Sequence, residues 1–286
     1  MREADTESIQ KHLATLVGER NPYTTPVALE RAGQYIAKQF ETLGLRVMEE
    51  SVPFGGMEST NVLGLKEGLG NSGDLFILAA HYDTVENSPG ADDNASAVAA
   101  MLEAARCLES VQLKTPLLFA GFTLEEYGFV GSRYYIERSH RRKERFLGMI
   151  SLEMVGFRNR LPGSQSYPPY VDPARYPDTG DFIVAVGNEP STPLTLSLAE
   201  GMRKAAPGLP VETLVVPGRG DDFTEVRLSD HSPFWENGTP AVMVTDTAFF
   251  RNPNYHRPTD TLETLDVEFI RDVAQGIAGF LKQHLG

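Results

Sequence analysis

The sequence holds a single cysteine, Cys107, so no intrachain disulfide can form and a cysteine zinc site is excluded. That usage fits a reducing compartment. Cations are in short supply too: 26 Lys and Arg face 39 Asp and Glu, a formal charge of −13. Such a balance argues against nucleic acid or an anionic membrane surface as a partner. No apolar run approaches the ~20 residues that a membrane span needs, and the first residues, Met1 to Ser8, lack the apolar stretch of an export signal. As written, the chain is expected to be cytoplasmic; had a signal been trimmed from it, secretion or the periplasm would apply. Internal repeats and low-complexity tracts are missing as well.

What is present is 286 residues, enough for a sizeable core in one α/β domain spanning 1–286. Residues 28–44 place Leu29, Ala32, Tyr35, Ile36, Phe40 and Leu43 at helical spacing, with Gly44 as a stop. Residues 45–53 and 60–65 read as short strands, and 75–80, 117–122, 147–152, 182–186 and 240–246 as buried ones. Helices are expected over 95–109, 193–205 and 267–284. Strands alternating with helices predict an α/β fold with a mixed, mostly parallel central sheet sandwiched between helices. Residues 157–180, rich in Pro, Tyr, Gly and Arg, read as an ordered loop insertion, a disordered linker being the alternative.

Ligands of such sheets bind outside the carboxyl ends of the strands. His81, Glu125 and Glu126, and Glu153 each fall at or just after such an end. His81 alone suits a structural role; Asp83, two residues on, can orient its ring for a metal. Ala91-Asp92-Asp93-Asn94 opens a helix, so one acid or amide there caps it. Three in succession invite a carboxylate shared by two cations, and Asp93 is the choice for it. Glu125 and Glu126 are adjacent carboxylates that repel unless a cation intervenes, although a helix start also favours acids. Glu153 is a buried carboxylate in need of a partner, a salt bridge being the plain alternative. His256 and His231 are rival histidines, and spacing alone leaves open which of them binds metal. Two histidines and several carboxylates without cysteine form the donor mix of zinc hydrolases.

In order along the chain, His81-x-Asp83, Gly90-Ala91-Asp92-Asp93-Asn94, Glu125-Glu126, Glu153, Ser229-Asp230-His231 and Tyr255-His256-x3-Asp260 resemble the zinc-dependent aminopeptidases of metallopeptidase family twenty-eight. The resemblance spans about residues 28–284. It implies the three-layer zinc-exopeptidase fold and two zinc ions per chain. His81 and Glu153 would bind one ion, Glu126 and His256 the other, and Asp93 would bridge them. Asp83 would orient His81, and Glu125 would act as general base. Asp230 and His231 would be supporting residues near the site. Many family members carry Asp where this chain has Glu153, which puts that ligand in question. His12, His140 and His284 match no motif and are expected at the surface.

The reaction this implies is hydrolysis of the first peptide bond of a peptide with a free amino terminus. Met154, Phe249, Phe250 and Tyr255 flank the implied ligands and could wall a pocket for an apolar first residue, or belong to the core. Three alternatives stand beside it. They are a glutaminyl-cyclase-like acyltransferase with one zinc, a carboxypeptidase or dipeptidase specificity, and a non-catalytic binding domain on the same fold. Oligomeric state has no signature in the sequence.

Overall fold

The computed structural model describes residues 1–70 and 74–286. Among these residues, eight strands form one sheet: β1 (Arg46–Phe54), β2 (Met57–Lys66), β3 (Asp74–His81), β4 (Leu117–Phe122), β5 (Arg145–Glu153), β6 (Ile183–Asn188), β7 (Val211–Val216) and β8 (Ala241–Thr245). Their order is β1-β2-β4-β3-β5-β8-β6-β7. The centre, β4-β3-β5-β8, is parallel; β1, β2 and β4 pair antiparallel, as do β8 and β6. This is the mixed, mostly parallel sheet expected.

Among the described residues, seven α-helices cover it: α1 (Thr6–Leu16), α2 (Pro26–Thr42), α3 (Ala97–Leu108), α4 (Val130–Arg142), α5 (Thr192–Ala205), α6 (His231–Glu236) and α7 (Val267–Leu285). Side chains alternate across β3, so Phe76, Leu78 and Ala80 join a core with α1, α2, α3, α5 and α7. Ile77 and Ala79 join the opposite core, with Tyr135 and Ile136 of α4 and Phe234 and Trp235 of α6. Three layers result, helices on both faces of the sheet. Burial on both faces is why the central strands read as continuous apolar runs.

The sequence reading leaves α1, α4, α6 and β7 unassigned. In α4 the residues Arg133, Glu137, Arg138, Arg141 and Arg142 dilute the apolar stripe, and only Tyr135 and Ile136 among its large apolar side chains are buried. The helix expected over 95–109 begins later, because Ala91–Ser96 forms a separate wide turn first. His140 and His284 are exposed, but His12 is not: it is 7% exposed, its Nδ1 lies 2.8 Å from the Tyr35 hydroxyl, and burial lowers its pKa to about 4. Its place on the inner face of α1 overrides the surface preference of histidine. No helix among the described residues is long and apolar enough to cross a membrane.

Candidate metal centre

The parallel strands β3, β4 and β5 end along one edge, and each end delivers donors. His81 is the last residue of β3 and Glu153 the last of β5; β4 runs through Thr123 and Leu124 into a 3-10 turn, Glu125–Tyr127. Asp93 comes from the Ala91–Ser96 turn, and His256 from the loop after β8, with φ of 57°. Two groups of donors form. One is His81, Asp93 and Glu153; the other is Asp93, Glu126 and His256.

Asp93 is common to both. Its Oδ1 lies 3.3 Å from His81 Nε2 and its Oδ2 3.2 Å from His256 Nε2. Glu153 Oε1 is 3.5 Å from His81 Nε2, and Glu126 Oε2 is 3.2 Å from His256 Nε2. Glu125 Oε2 stands 3.9 Å from His81 Nε2.

The neighbours of Asp93 explain why three polar residues follow one another. Asp92 turns away from the histidines and accepts hydrogen bonds from Gly156 N (2.8 Å), Ser96 Oγ (3.0 Å) and Asn252 Nδ2 (2.7 Å). Asn94 grips the end of β5 from both sides, donating to Leu152 O at 3.0 Å and accepting from Met154 N at 2.9 Å. Asp260 accepts the backbone N–H groups of Asp92 (2.9 Å) and Asp93 (3.1 Å). Asp92 and Asn94 thus brace the turn, leaving Asp93 free to face both histidines. Gly90 before them has φ of 60°, and a Cβ there would stand 2.4 Å from Asp93 O, so only glycine fits.

Arg20 is among the participants that the sequence analysis did not single out. Arg20, 2% exposed, donates to the carbonyls of Tyr82 (2.7 Å), Gly18 (2.6 Å), Pro89 (3.1 Å) and Gly90 (3.0 Å), and also to that of Leu16. It ties the segment before α2 to the loop that carries Asp83 and leads to Asp93. Burial lowers its pKa to about 10, against the pull of Asp83, Asp93, Asp260 and Glu126, so it remains a cation at neutral pH. A lone arginine in an otherwise ordinary loop carries no sequence signal for this role.

Electrostatics marks the cluster as built for a cation. Burial raises Glu125 well above the carboxylate range, and Glu153 and Glu126 add to the effect. Glu126 rises to about 7 through burial and Asp93. His81 and His256 are both raised: burial opposes this, but the carboxylates around them outweigh it, bringing His256 to about 10. Asp93 is held below its usual range; burial works the other way, but His256 and His81 prevail. Among the described residues, both ring nitrogens of His81, Asp93 Oδ1 and Glu126 Oε1 are buried without a hydrogen-bond partner. Orphaned donors of these types are costly unless an ion takes them up, and imidazole with carboxylate is zinc's donor chemistry. The residues therefore fit zinc.

The rival histidine, His231, is engaged elsewhere. His231 Nε2 donates to Val226 O at 2.8 Å, its ring meets Trp235 edge-on at 4.5 Å, and burial lowers its pKa to about 4. It belongs to neither donor group. Asp230 is fully buried, neither of its oxygens meets a hydrogen-bond partner among the described residues, and burial raises its pKa to about 7.

Beside Glu153 lies an apolar cavity of about 90 Å³, lined by Tyr167, Tyr176, Phe182, Val184, Met243, Phe249, Phe250 and Tyr255 among others. Residues 157–180 contribute two of those tyrosines, and the segment is joined by the Asn159–Gly180 bridge and by the hydrogen bond from Tyr176 to Thr213 O at 3.1 Å. Tyr255 stacks on His256 at 3.8 Å. Met154 does not line this cavity: it is wholly buried just behind Glu153, where its backbone N–H is held by Asn94. Residue 154 follows the strand end directly, and that turns its side chain into the core.

A set of histidines and carboxylates, buried except for Glu126 and His256, at the carboxyl edge of a three-layer α/β/α sheet marks a metal-dependent hydrolase. The model of Peptidase family M28 matches residues 61–281, and the chain belongs to that family of zinc-dependent peptide hydrolases. It is 33% identical to the uncharacterized protein YfbL of Escherichia coli (strain K12), over 98% of this chain and 88% of that one. It is 28% identical to aminopeptidase YwaD of Bacillus subtilis (strain 168), over 75% of this chain and 42% of that one, so it spans under half of that relative's length. Among solved structures, the zinc aminopeptidase BSAP from Bacillus subtilis superposes with a TM-score of 0.74 at 18% identity, covering 99% of this chain and 96% of that one. A glutaminyl cyclase from Bacteroides thetaiotaomicron does so at 0.73 and 18%, covering 98% of each chain. At such identities both likenesses speak for the fold alone.

Proposed function

We propose that this chain is a di-zinc aminopeptidase that hydrolyses the first peptide bond of peptides with a free amino terminus. The observation that carries the reading is Asp93, whose two oxygens face two histidines, each backed by its own glutamate. His81 and Glu153 would hold one zinc, Glu126 and His256 the other, with Asp93 shared between them. Bound there, zinc supplies Lewis-acid polarisation of the scissile carbonyl and acidifies water.

The remaining work falls to the chain itself. Glu125, held near His81 and raised by burial, is suited to take a proton from the attacking water and return it to the departing amine. Asp83 fixes the ring of His81. The cavity beside Glu153 would receive an apolar first side chain.

The test is zinc content per chain together with release from leucine p-nitroanilide, before and after chelation, for the wild type and Glu125→Gln. About two zinc ions, chelator-sensitive release and a variant that keeps its zinc while losing about 10²- to 10⁴-fold in kcat are expected. Near wild-type turnover in Glu125→Gln would remove the assigned base. The competing reading is a one-zinc glutaminyl cyclase, which shares the fold. One zinc ion, no leucine release and cyclisation of an amino-terminal glutamine would establish that reading instead.

A further inference from the structure

Past Glu126 the chain enters Tyr127, whose ring packs against two others that the donor cluster does not use. Tyr127 lies 5.4 Å from Phe54 and 5.5 Å from Tyr23, and Tyr23 and Phe54 are 6.1 Å apart. The three rings come from separate elements: the turn after β4, the end of β1 and the α1–α2 connection. Asn21 fastens the assembly, its amide donating to the Tyr127 hydroxyl at 2.8 Å and to Thr84 O at 3.0 Å. Rings gathered for stability alone would be buried. Instead Tyr23 is 55% exposed, and Phe54 and Tyr127 are only half-buried.

Their position relative to the cluster gives them a direction. Asp93 stands between the two halves of the centre, and the strand order puts the apolar cavity, walled by Val184 of β6 and Met243 of β8, across the donor edge from Phe54 at the end of β1 and Tyr127 after β4. A peptide whose first side chain fills the cavity and whose scissile bond reaches Glu125 carries its second and third residues towards Tyr127.

We infer that Tyr23, Phe54 and Tyr127 form a shelf for the part of the peptide beyond the scissile bond, selecting an aromatic or large apolar residue at its second or third position. This rests on the aminopeptidase reading. Aromatic rings gain most from offset or edge contacts at 4.5–7 Å, the spacing this trio already keeps among its own members. Rings already packed together lose little freedom when a ligand arrives. Glu30, Glu49 and Glu58 line the adjoining groove beside Tyr23, which disfavours acidic residues there.

The experiment measures leucine release by the zinc-loaded full chain from leucyl-glycyl-glycine, leucyl-phenylalanyl-glycine and leucyl-glycyl-phenylalanine. One aromatic peptide is expected to exceed the glycine peptide in kcat/KM by about tenfold, mostly through KM. Tyr23→Ala should bring that ratio close to one, and Tyr23→Phe should keep it. Thermal melting of both variants checks that the exposed substitution leaves the fold intact. Equal kcat/KM for all three peptides in the wild type, or an unchanged ratio in Tyr23→Ala, overturns the shelf while leaving the aminopeptidase reading in place. No leucine release from any peptide by zinc-loaded protein overturns that reading and the shelf with it.

Discussion

Asp83 Oδ1 lies 3.5 Å from His81 Nδ1, and the same carboxylate accepts the backbone N–H of Glu125 at 3.0 Å and of Glu126 at 3.2 Å. One fully buried side chain therefore stands beside the ring of His81 and holds the turn that presents the next two carboxylates. Asp83→Asn keeps the shape but offers an NH₂ where one of these groups needs an acceptor. Zinc affinity is expected to fall about 10- to 100-fold, read by titration against a competing chelator. The metal-free fold should lose about 1–3 kcal/mol in urea unfolding, because a buried N–H loses its acceptor. Unchanged zinc affinity would mean that Asp83 serves the turn alone.

His81, Glu125, Glu126 and Glu153 were legible because each sits at or just after the end of an apolar strand, and a strand end is visible in a sequence. Residue type then narrowed the choice, as with Asp93 among Asp92, Asp93 and Asn94. What stayed hidden are contacts that only the tertiary fold creates. Asn252 reaches Asp92 across 160 positions and Arg20 reaches Gly90 across 70. No local pattern distinguishes Asn252 or Arg20 from any other loop residue. Met154 shows the converse limit, since nearness to Glu153 in sequence suggested a pocket wall while the turn after β5 buries it.

Glu153 has a support that its own segment does not reveal. Its Oε2 accepts a hydrogen bond from Ser229 Oγ at 2.7 Å, and Ser229 Oγ lies 3.1 Å from Ser151 Oγ. The hydroxyl fixes the Glu153 side chain at the end of β5. Ser229→Ala should weaken zinc at the His81 and Glu153 position about tenfold while sparing the Glu126 and His256 position. A zinc titration would then separate into two phases. Equal weakening of both would assign Ser229 to the fold in general.

The cavity beside Glu153 has almost wholly apolar walls from Phe182, Val184, Met243 and Phe250. A methylene group buried in such walls contributes about 0.8 kcal/mol, and a charge set there without a partner is penalised far more. Leucyl p-nitroanilide is therefore expected to exceed glutamyl p-nitroanilide in kcat/KM by at least about 100-fold, and lysyl p-nitroanilide by less, since a lysine stem packs on apolar walls while its head seeks water. A clear preference for either charged anilide would refute the apolar pocket. Met243→Glu should lower the leucyl rate while raising the lysyl one, through opposite charge at the wall.

Without metal the centre stores protons, and that gives its stability a pH dependence of known sign. Burial raises Glu126 from 4.5, and Asp230 and Asp260 from 3.8, each to about 7. Burial lowers His256, but Asp93 and Glu126 outweigh it and bring the ring from 6.5 to about 10. Groups that hold their protons more tightly when folded stabilise the fold fully below their unfolded pKa, and that contribution is lost as pH rises through the folded value. His12 and His231, lowered to about 4 by burial, act oppositely, but their contribution is complete above 6.5. From pH 6.5 to 8.5 these carboxylates, up to about 7, and His256, on towards about 10, set the trend together, so chelated protein should melt at progressively lower temperature, by about 2–4 °C for each kcal/mol lost. Zinc needs deprotonated ligands, so its stabilisation should grow over the same range. Differential scanning calorimetry of chelated and zinc-loaded protein at pH 6.5, 7.5 and 8.5 should show the gap in Tm widening with each step. A constant gap would mean that the buried carboxylates are already ionised at pH 6.5 and that another interaction, not a proton, holds them together without metal.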